Sequence, residues 1–341
     1  MKKLFAFTLS VAIVVSACAF GGCSSGDIGV IDGNYSEANA VQLEEALAKI
    51  DTNNPFVETT DKENCYGFKF NAAFNGSYEM NQLMSTSFST VVDYKLSLDS
   101  SGAYPDLAGS GKLTSDNKST LTVGGTSVTQ ESKYGVTVYN DYDYVYLNVT
   151  AGEVGKFKIS FYDLINGMLV GYNEDIDENL PEEGDTETPP EDLTIAGILD
   201  KLETAGVKTY LDTSDGVKVK ISITQDSVDK LIDEVIDSME GEITEESSTE
   251  IKALLSSLKF NSMKFDIYLA FSSEGKFLKF GTDMDIDFSL DASSLSPSES
   301  ISIGEMRIVL KGGMMIEMFN RIVTIPEGIA DDPSYIEMNG I

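Results

Sequence analysis

The sequence predicts an α+β fold, one large antiparallel sheet with helices packed on its apolar face. Three observations predict it. Between residues 66 and 161, short β-rich segments follow one another with turn residues between them. From 225 to 258 stand two amphipathic helical patterns, and from 263 to 311 apolar and polar residues alternate with period two.

In chain order, Lys2 and Lys3 precede an apolar run, Leu4 to Val15, that is too short to span a bilayer comfortably. Residues 1–22 therefore read as a cleavable export signal. Val15-Ser16-Ala17-Cys18 and Phe20-Gly21-Gly22-Cys23 both resemble the acylation site of bacterial lipoproteins, where small residues precede a cysteine that receives a diacylglyceryl group. Cys23 is followed by Ser24-Ser25-Gly26 and is expected to carry the lipid, with Cys18 as the alternative. Residues 23–35 then form a flexible tether, and 36–341 a single domain.

Within that domain, Ser36 is placed to cap a helix running to about Ile50, with Ala40, Val41, Leu43, Leu47 and Ile50 as its apolar positions. Seven strands are expected next, near 66–74, 88–98, 111–114, 119–123, 133–139, 143–149 and 156–161. Around the Asn140-Asp141 turn, Val145, Leu147 and Val149 alternate with Tyr142, Tyr144 and Tyr146, so the tyrosines share one side of the sheet. Residues 173–192 carry ten acidic residues, three prolines and no base, the composition of a solvated loop.

After a short helix near 194–204, a hairpin joins 208–211 to 217–223 across Asp212 to Gly216. Val228, Leu231, Ile232, Val235, Ile236 and Met239 recur at helical spacing, and a second helix follows from about 245 to 258. These helices need an apolar surface to cover. The strands after them supply it: Met263, Phe265, Ile267, Leu269 and Phe271, then Met284, Ile286, Phe288 and Leu290, with Asp283, Asp285 and Asp287 on the wet side. A third strand spans 305–311.

Composition narrows function. A net charge of -32 disfavours nucleic acid and anionic lipid headgroups as general partners, because both require a basic footprint. There is no histidine, which removes His triads, His bases and His metal ligands. Beyond the signal region Cys65 stands alone, so no disulfide framework is expected and its role is that of a small buried hydrophobe. Ser-x-x-Lys occurs four times, the first at Ser115 to Lys118 in an expected hairpin turn, which marks the pattern as chance rather than an acyl-transfer site. No catalytic residue, metal site or cofactor is expected.

The order of a helix, a meander, central helices and further strands behind an acylation signal resembles the half-barrel lipoprotein carriers of the LolA-like and LprG/LppX type. The resemblance spans about residues 36–311 and includes the stretches Tyr142 to Val149 and Phe271 to Phe288. It implies a curved half-barrel holding a lipid between sheet and helices, hence a non-enzymatic lipoprotein that binds or carries an amphiphile at the outer surface of a membrane. The expected lining is Phe265, Ile267, Leu269, Met284, Ile286 and Phe288, with Val228, Leu231, Ile232 and Val235 from the helix. The alternative is a surface module that meets a protein or glycan through Tyr142, Tyr144 and Tyr146 or through the acidic loop, with no ligand cavity.

Overall fold

The computed structural model describes residues 28–80, 83–102, 106–123, 125–151, 154–161, 203–228, 230, 258–291 and 305–338. Among them, thirteen strands form one open sheet. These are β1 (Ser36–Glu37), β2 (Cys65–Met80), β3 (Met84–Asp99), β4 (Asp106–Val123), β5 (Thr126–Asn140), β6 (Tyr144–Ala151) and β7 (Gly155–Ser160), then β8 (Lys208–Asp212), β9 (Val217–Thr224), β10 (Leu258–Phe271), β11 (Phe277–Asp291), β12 (Glu305–Phe319) and β13 (Ile336–Glu337). A helix, α1 (Ala40–Leu47), lies between β1 and β2, and Ile329–Asp331 make a single 3-10 turn.

Across the sheet the order is β1-β8-β9-β10-β11-β12-β2-β3-β4-β5-β6-β7-β13. Every neighbouring pair is antiparallel except β7 with β13. The chain thus runs as two meanders, β8 to β12 and β2 to β7, joined where β12 pairs with β2. Of the consecutive strands from β2 to β12, only β7 and β8 are not neighbours, so the order is that of an up-and-down barrel opened at one seam. The two-residue strands β13 and β1 cover the edges at that seam, a short-strand device that blunts edge pairing.

This corrects the expected α+β class. Among the described residues the protein is mostly sheet, and α1 packs on it at one end of the inner face. Asn39 rather than Ser36 caps that helix: its side chain accepts from Gln42 N at 3.0 Å and its N–H donates to Gln42 Oε1 at 3.0 Å, while Ser36 pairs with Leu211 in β1. Residues 225–228 begin a helical stretch at the expected place. Lys230 is helical as expected, whereas Leu258, the expected end of the second helix, begins β10. Residues 229, 231–257 and 173–192 lie outside the described residues, as do Cys18 and Cys23.

The meander has six strands, not seven. Ser115 to Lys118, expected as a turn, sit mid-strand in β4, paired with β3 on one side and β5 on the other. Turn-prone residues are tolerated there because cross-strand partners take up their charges: Lys133 donates to Asp116 at 2.9 Å and Lys118 to Glu131 at 2.8 Å. One consequence is chemical. In a strand, residues three apart face opposite sides, so the Lys118 amine cannot serve the Ser115 hydroxyl.

The core lies on the inner face at the α1 end, where Leu43 and Ala46 of α1 meet Phe56, Tyr66, Phe68, Val217, Val219, Phe271 and Phe277. It continues through Phe70, Ala72, Val92 and Ile316, and then Leu96, Leu98 and Leu107. Cys65 opens β2 as a buried free thiol, pushed up in pKa by that burial.

Two terminal segments strap the outer face. Ile31 packs with Tyr268 and Ala270, and the C-terminal Ile329 and Tyr335 cover Tyr146. The first strap requires glycine. A Cβ at Gly281 would lie 2.0 Å from the Gly29 carbonyl oxygen, and one at Gly313 2.0 Å from that of Ile28, so a glycine pair on β11 and β12 forms the slot in which the backbone rests. Gly29 itself has φ 105°, in the region that favours glycine. Gly281→Ala is expected to cost about 1–3 kcal/mol by overpacking and to lift the strap. Hydrogen exchange across residues 28–35 checks this, and protection equal to the wild type would refute it.

Candidate functional site

The two faces of the sheet differ in charge. On the outer face, Asp283, Asp285 and Asp287 form the wet ladder the sequence anticipates, and each is paired across strands. Lys264 reaches Asp283 at 2.5 Å, Lys311 reaches Asp285 at 2.8 Å, and Arg307 grips Asp287 with two nitrogens at 3.0 and 2.6 Å. The Arg307 guanidinium holds the Asp287 carboxyl down at about 2. Glu317 bridges Lys69 at 3.1 Å and Lys279 at 3.2 Å.

On the inner face, no described residue of β9–β12 or β2–β7 is charged. The register arranges it in rows. Phe265, Met284, Gly312 and Phe74 stand opposite one another across β10, β11, β12 and β2, and the row continues into Thr90, Ser115 and Tyr134 on β3, β4 and β5. The next row is Met263, Ile286, Leu310, Gly76 and Phe88, followed by Asn117 and Ser132. A third is Phe260, Phe288, Ile308 and Tyr78, followed by Thr86, Ser119 and Gln130. Directly opposed side chains lie about 4.5–5.5 Å apart, so each row is a continuous surface.

This surface is amphipathic sideways. Within these three rows it is apolar over β10, β11, β12 and β2 and polar but uncharged over β4 and β5, with β3 as the border; the flanking rows are apolar on β4 and β5 too, through Leu113 opposite Val136 and the exposed pair Leu121 and Val128. Glycine flattens it: a Cβ at Gly76 would lie 2.1 Å from the Phe88 ring, which therefore spreads over that position. Nearer the core, Tyr94 lies over Gly109 and Gly111 and donates to Asn140 Oδ1. Burial pushes the Tyr94 hydroxyl well above its ordinary pKa, so it remains a neutral donor.

Six of the ten expected lining residues thus share this face. Phe265, Ile267, Leu269, Met284, Ile286 and Phe288 are all half-buried on it, with Phe265 directly opposite Met284. Val228 is buried, whereas Leu231, Ile232 and Val235 lie outside the described residues. Sequence reading missed the polar half of the face, because the signal is register between distant strands. The sequence itself contains the relevant alternation, Ser115-Asn117-Ser119 and Gln130-Ser132 at every second position.

Among the described residues, four buried side-chain polar atoms have no hydrogen-bond partner: the hydroxyls of Thr90, Ser115 and Thr282, and Gln225 Oε1. All three hydroxyls lie on the inner face. Thr90 and Ser115 are opposite each other in the first row, and Thr282 sits in the adjacent row between Ile267 and Met314.

The tyrosines divide. Tyr144 and Tyr146 do share the outer face, but Tyr146 is fully buried beneath Tyr335, with ring centroids 5.4 Å apart, and donates to Asp141 Oδ2 at 2.9 Å. Its hydroxyl is pushed up in pKa by burial and by the Asp141 carboxylate. Tyr144 is half-buried beneath the Lys158 ammonium, 4.8 Å from the ring centroid, and Tyr142 alone stays exposed. A continuous aromatic platform is therefore absent, because the C-terminal strap occupies it.

The outer face holds instead a polar cleft of about 460 Å³. Asn75, Ser77, Ser87 and Ser89 on β2 and β3 line it together with Val309 and Lys311 of β12 and Asp116, Lys118, Glu131 and Lys133 of β4 and β5. Short side chains between long ones make the trench. Among the described residues there is no acidic or sulfur cluster suited to a metal, and no helix long and apolar enough to cross a membrane.

No protein-family model and no curated protein matches the sequence. Among solved structures the chain is similar to a β-barrel-like protein with a domain of unknown function, DUF1849, from Brucella abortus. That likeness has 8% identity over 76% of this chain and 100% of the other, with a TM-score of 0.14, too slight to add to what the strand order itself shows: a large antiparallel sheet of barrel-like order.

Proposed function

We propose that this protein is an exported, membrane-anchored lipoprotein that binds or carries a lipid or similar amphiphile and performs no catalysis. The observation that carries the reading is the inner face: a broad sheet surface whose described residues carry no charge, and whose phenylalanines, isoleucines and methionines beyond the core stay half-buried. Removal of such apolar surface from water is worth about 25 cal/mol per Å², which an acyl chain laid along the rows would gain. The role is of the kind held by LolA-like and LprG/LppX-type carriers.

Anchoring rests on the signal and on Cys23, with Cys18 as the alternative. Ile28, which rests on the outer face, lies five residue steps from Cys23; extended chain covers about 3.3–3.6 Å per residue, so an acyl group on Cys23 would hold that face within about 18 Å of the bilayer. Metabolic labelling with a palmitate analogue tests this part: Cys23→Ala is expected to abolish labelling, and labelling lost only in Cys18→Ala would move the anchor.

Binding is tested by native mass spectrometry of the purified protein before and after delipidation, followed by titration with lipid. An amphiphile is expected to co-purify and to rebind. Absence of both would end the carrier reading. The outer cleft favours a second reading, a surface module that takes a polar ligand such as a glycan; glycan binding lost in Ser87→Leu with lipid binding absent would select it.

A further inference from the structure

Thr90 and Ser115 present two hydroxyls that are 3% and 6% exposed as residues, stand opposite each other, and have no partner among the described residues. A buried hydroxyl left in that state is costly, and proteins retain one only where something else completes it. These two lie in the row where the inner face changes from apolar to polar, next to Phe74 and in line with Met284 and Phe265. Among the described residues, their surroundings on the face hold no ammonium, guanidinium or carboxylate.

We propose that Thr90 and Ser115 are the headgroup subsite for an uncharged, ester- or hydroxyl-bearing lipid, of the acylglycerol class. This rests on the carrier reading above and gives it a substrate class. The ester carbonyl accepts from one hydroxyl, and a free hydroxyl of the lipid pairs with the other. The remaining glycerol oxygens face Asn117 and Ser132 in the next row, while the acyl chain follows Phe74, the Gly312 notch and Met284 toward Phe265. A phosphate or carboxylate headgroup is disfavoured, because it would be desolvated against a face whose described residues offer no cation.

The test uses the purified, delipidated full chain and two fluorescent probes with the same acyl chain, a monoacylglycerol and a phosphatidylglycerol. The wild type is expected to bind the monoacylglycerol at least tenfold more tightly. Thr90→Val and Ser115→Ala each remove an orphan hydroxyl without adding bulk. Each is expected to weaken monoacylglycerol binding about five- to tenfold, as the loss of one hydrogen bond does, and to leave phosphatidylglycerol binding unchanged.

Thermal unfolding supplies the structural control. Because the variants delete an unsatisfied polar group, their ligand-free melting temperatures are expected to equal or exceed that of the wild type by about 2–4 °C. Thr90→Ser is expected to restore affinity. Variants that bind the monoacylglycerol as tightly as the wild type, or a wild type that prefers phosphatidylglycerol, would overturn the subsite and leave the carrier reading standing. Failure of the wild type to bind either probe would overturn both.

Discussion

Asp266→Ala is expected to destabilise the protein by about 3–5 kcal/mol, because it leaves a buried network without its acceptor. Asp266 is wholly buried on the outer face of β10. It accepts from the Ser222 hydroxyl and from the Tyr268 hydroxyl at 3.2 Å, with the Lys220 ammonium at 3.0 Å and that of Lys264 at 3.4 Å. Ile31 of the N-terminal strap packs against Tyr268, so the substitution also loosens that strap. Asp266→Asn keeps an acceptor and the volume but removes the charge, and is expected to cost about half as much.

The pH dependence has a definite sign. Burial alone pushes the Asp266 carboxyl up, but the Ser222 hydroxyl and the Lys220 ammonium outweigh it and leave the pKa below the usual value. A carboxyl depressed in the folded state contributes stability that is present above its unfolded pKa, about 3.9, and is lost as pH falls through the folded value. The gap between wild type and Asp266→Asn should therefore be widest near neutrality and begin to narrow as pH falls below about 4. Urea unfolding at pH 7 and pH 3.5 measures it; a gap that widens on acidification would contradict the network, as would a cost below about 1 kcal/mol for the alanine variant.

Phe68→Ala is expected to cost about 3–5 kcal/mol by opening a cavity in the largest cluster. Phe68 lies on the inner face of β2 at the α1 end, and Phe56 meets it edge-on with centroids 5.4 Å apart and an interplanar angle of 87°. The same Phe56 ring also meets Tyr66 and Phe277 at 6.1 and 6.2 Å, so removing Phe68 disturbs an aromatic set rather than one contact. The contrast is Phe288→Ala, on the same face at the far end. That ring is half-buried, and its loss should cost only about 1–2 kcal/mol of stability while weakening lipid binding. Equal costs at the two positions would mean that the far end is core and not a binding surface.

Much of the local structure was legible. The hairpin β8–β9 was readable because Asp212 to Gly216 are turn residues between alternating strands, and β10–β12 because period-two alternation puts Phe265, Ile267 and Leu269 on one side of their strand and Met284, Ile286 and Phe288 on one side of theirs. The same rule placed Tyr144 and Tyr146 together, although it could not show that Tyr335 covers Tyr146. The reading failed where a local signal competed with distant partners. Ser115-Asp116-Asn117-Lys118 has the composition of a turn, but pairing on both sides holds it extended. The expected α+β class overweighted helical periodicity: within the described residues, long strands are the rule.

The candidate site divides in the same way. The apolar half of the inner face follows from each strand's own alternation, so Phe265, Ile267, Leu269, Met284, Ile286 and Phe288 could be named in advance. Its polar half could not be joined to it, because that requires β12 to lie beside β2, a pairing such as Gly312 with Phe74 across more than two hundred residues. The sequence by itself determined which residues face together along each strand, since the pleat has a period of two whatever the neighbours. Tertiary structure alone decided which strands are neighbours and in what register, because backbone pairing does not read side chains. That register sets the unpaired Thr90 and Ser115 hydroxyls at the border of an uncharged apolar field.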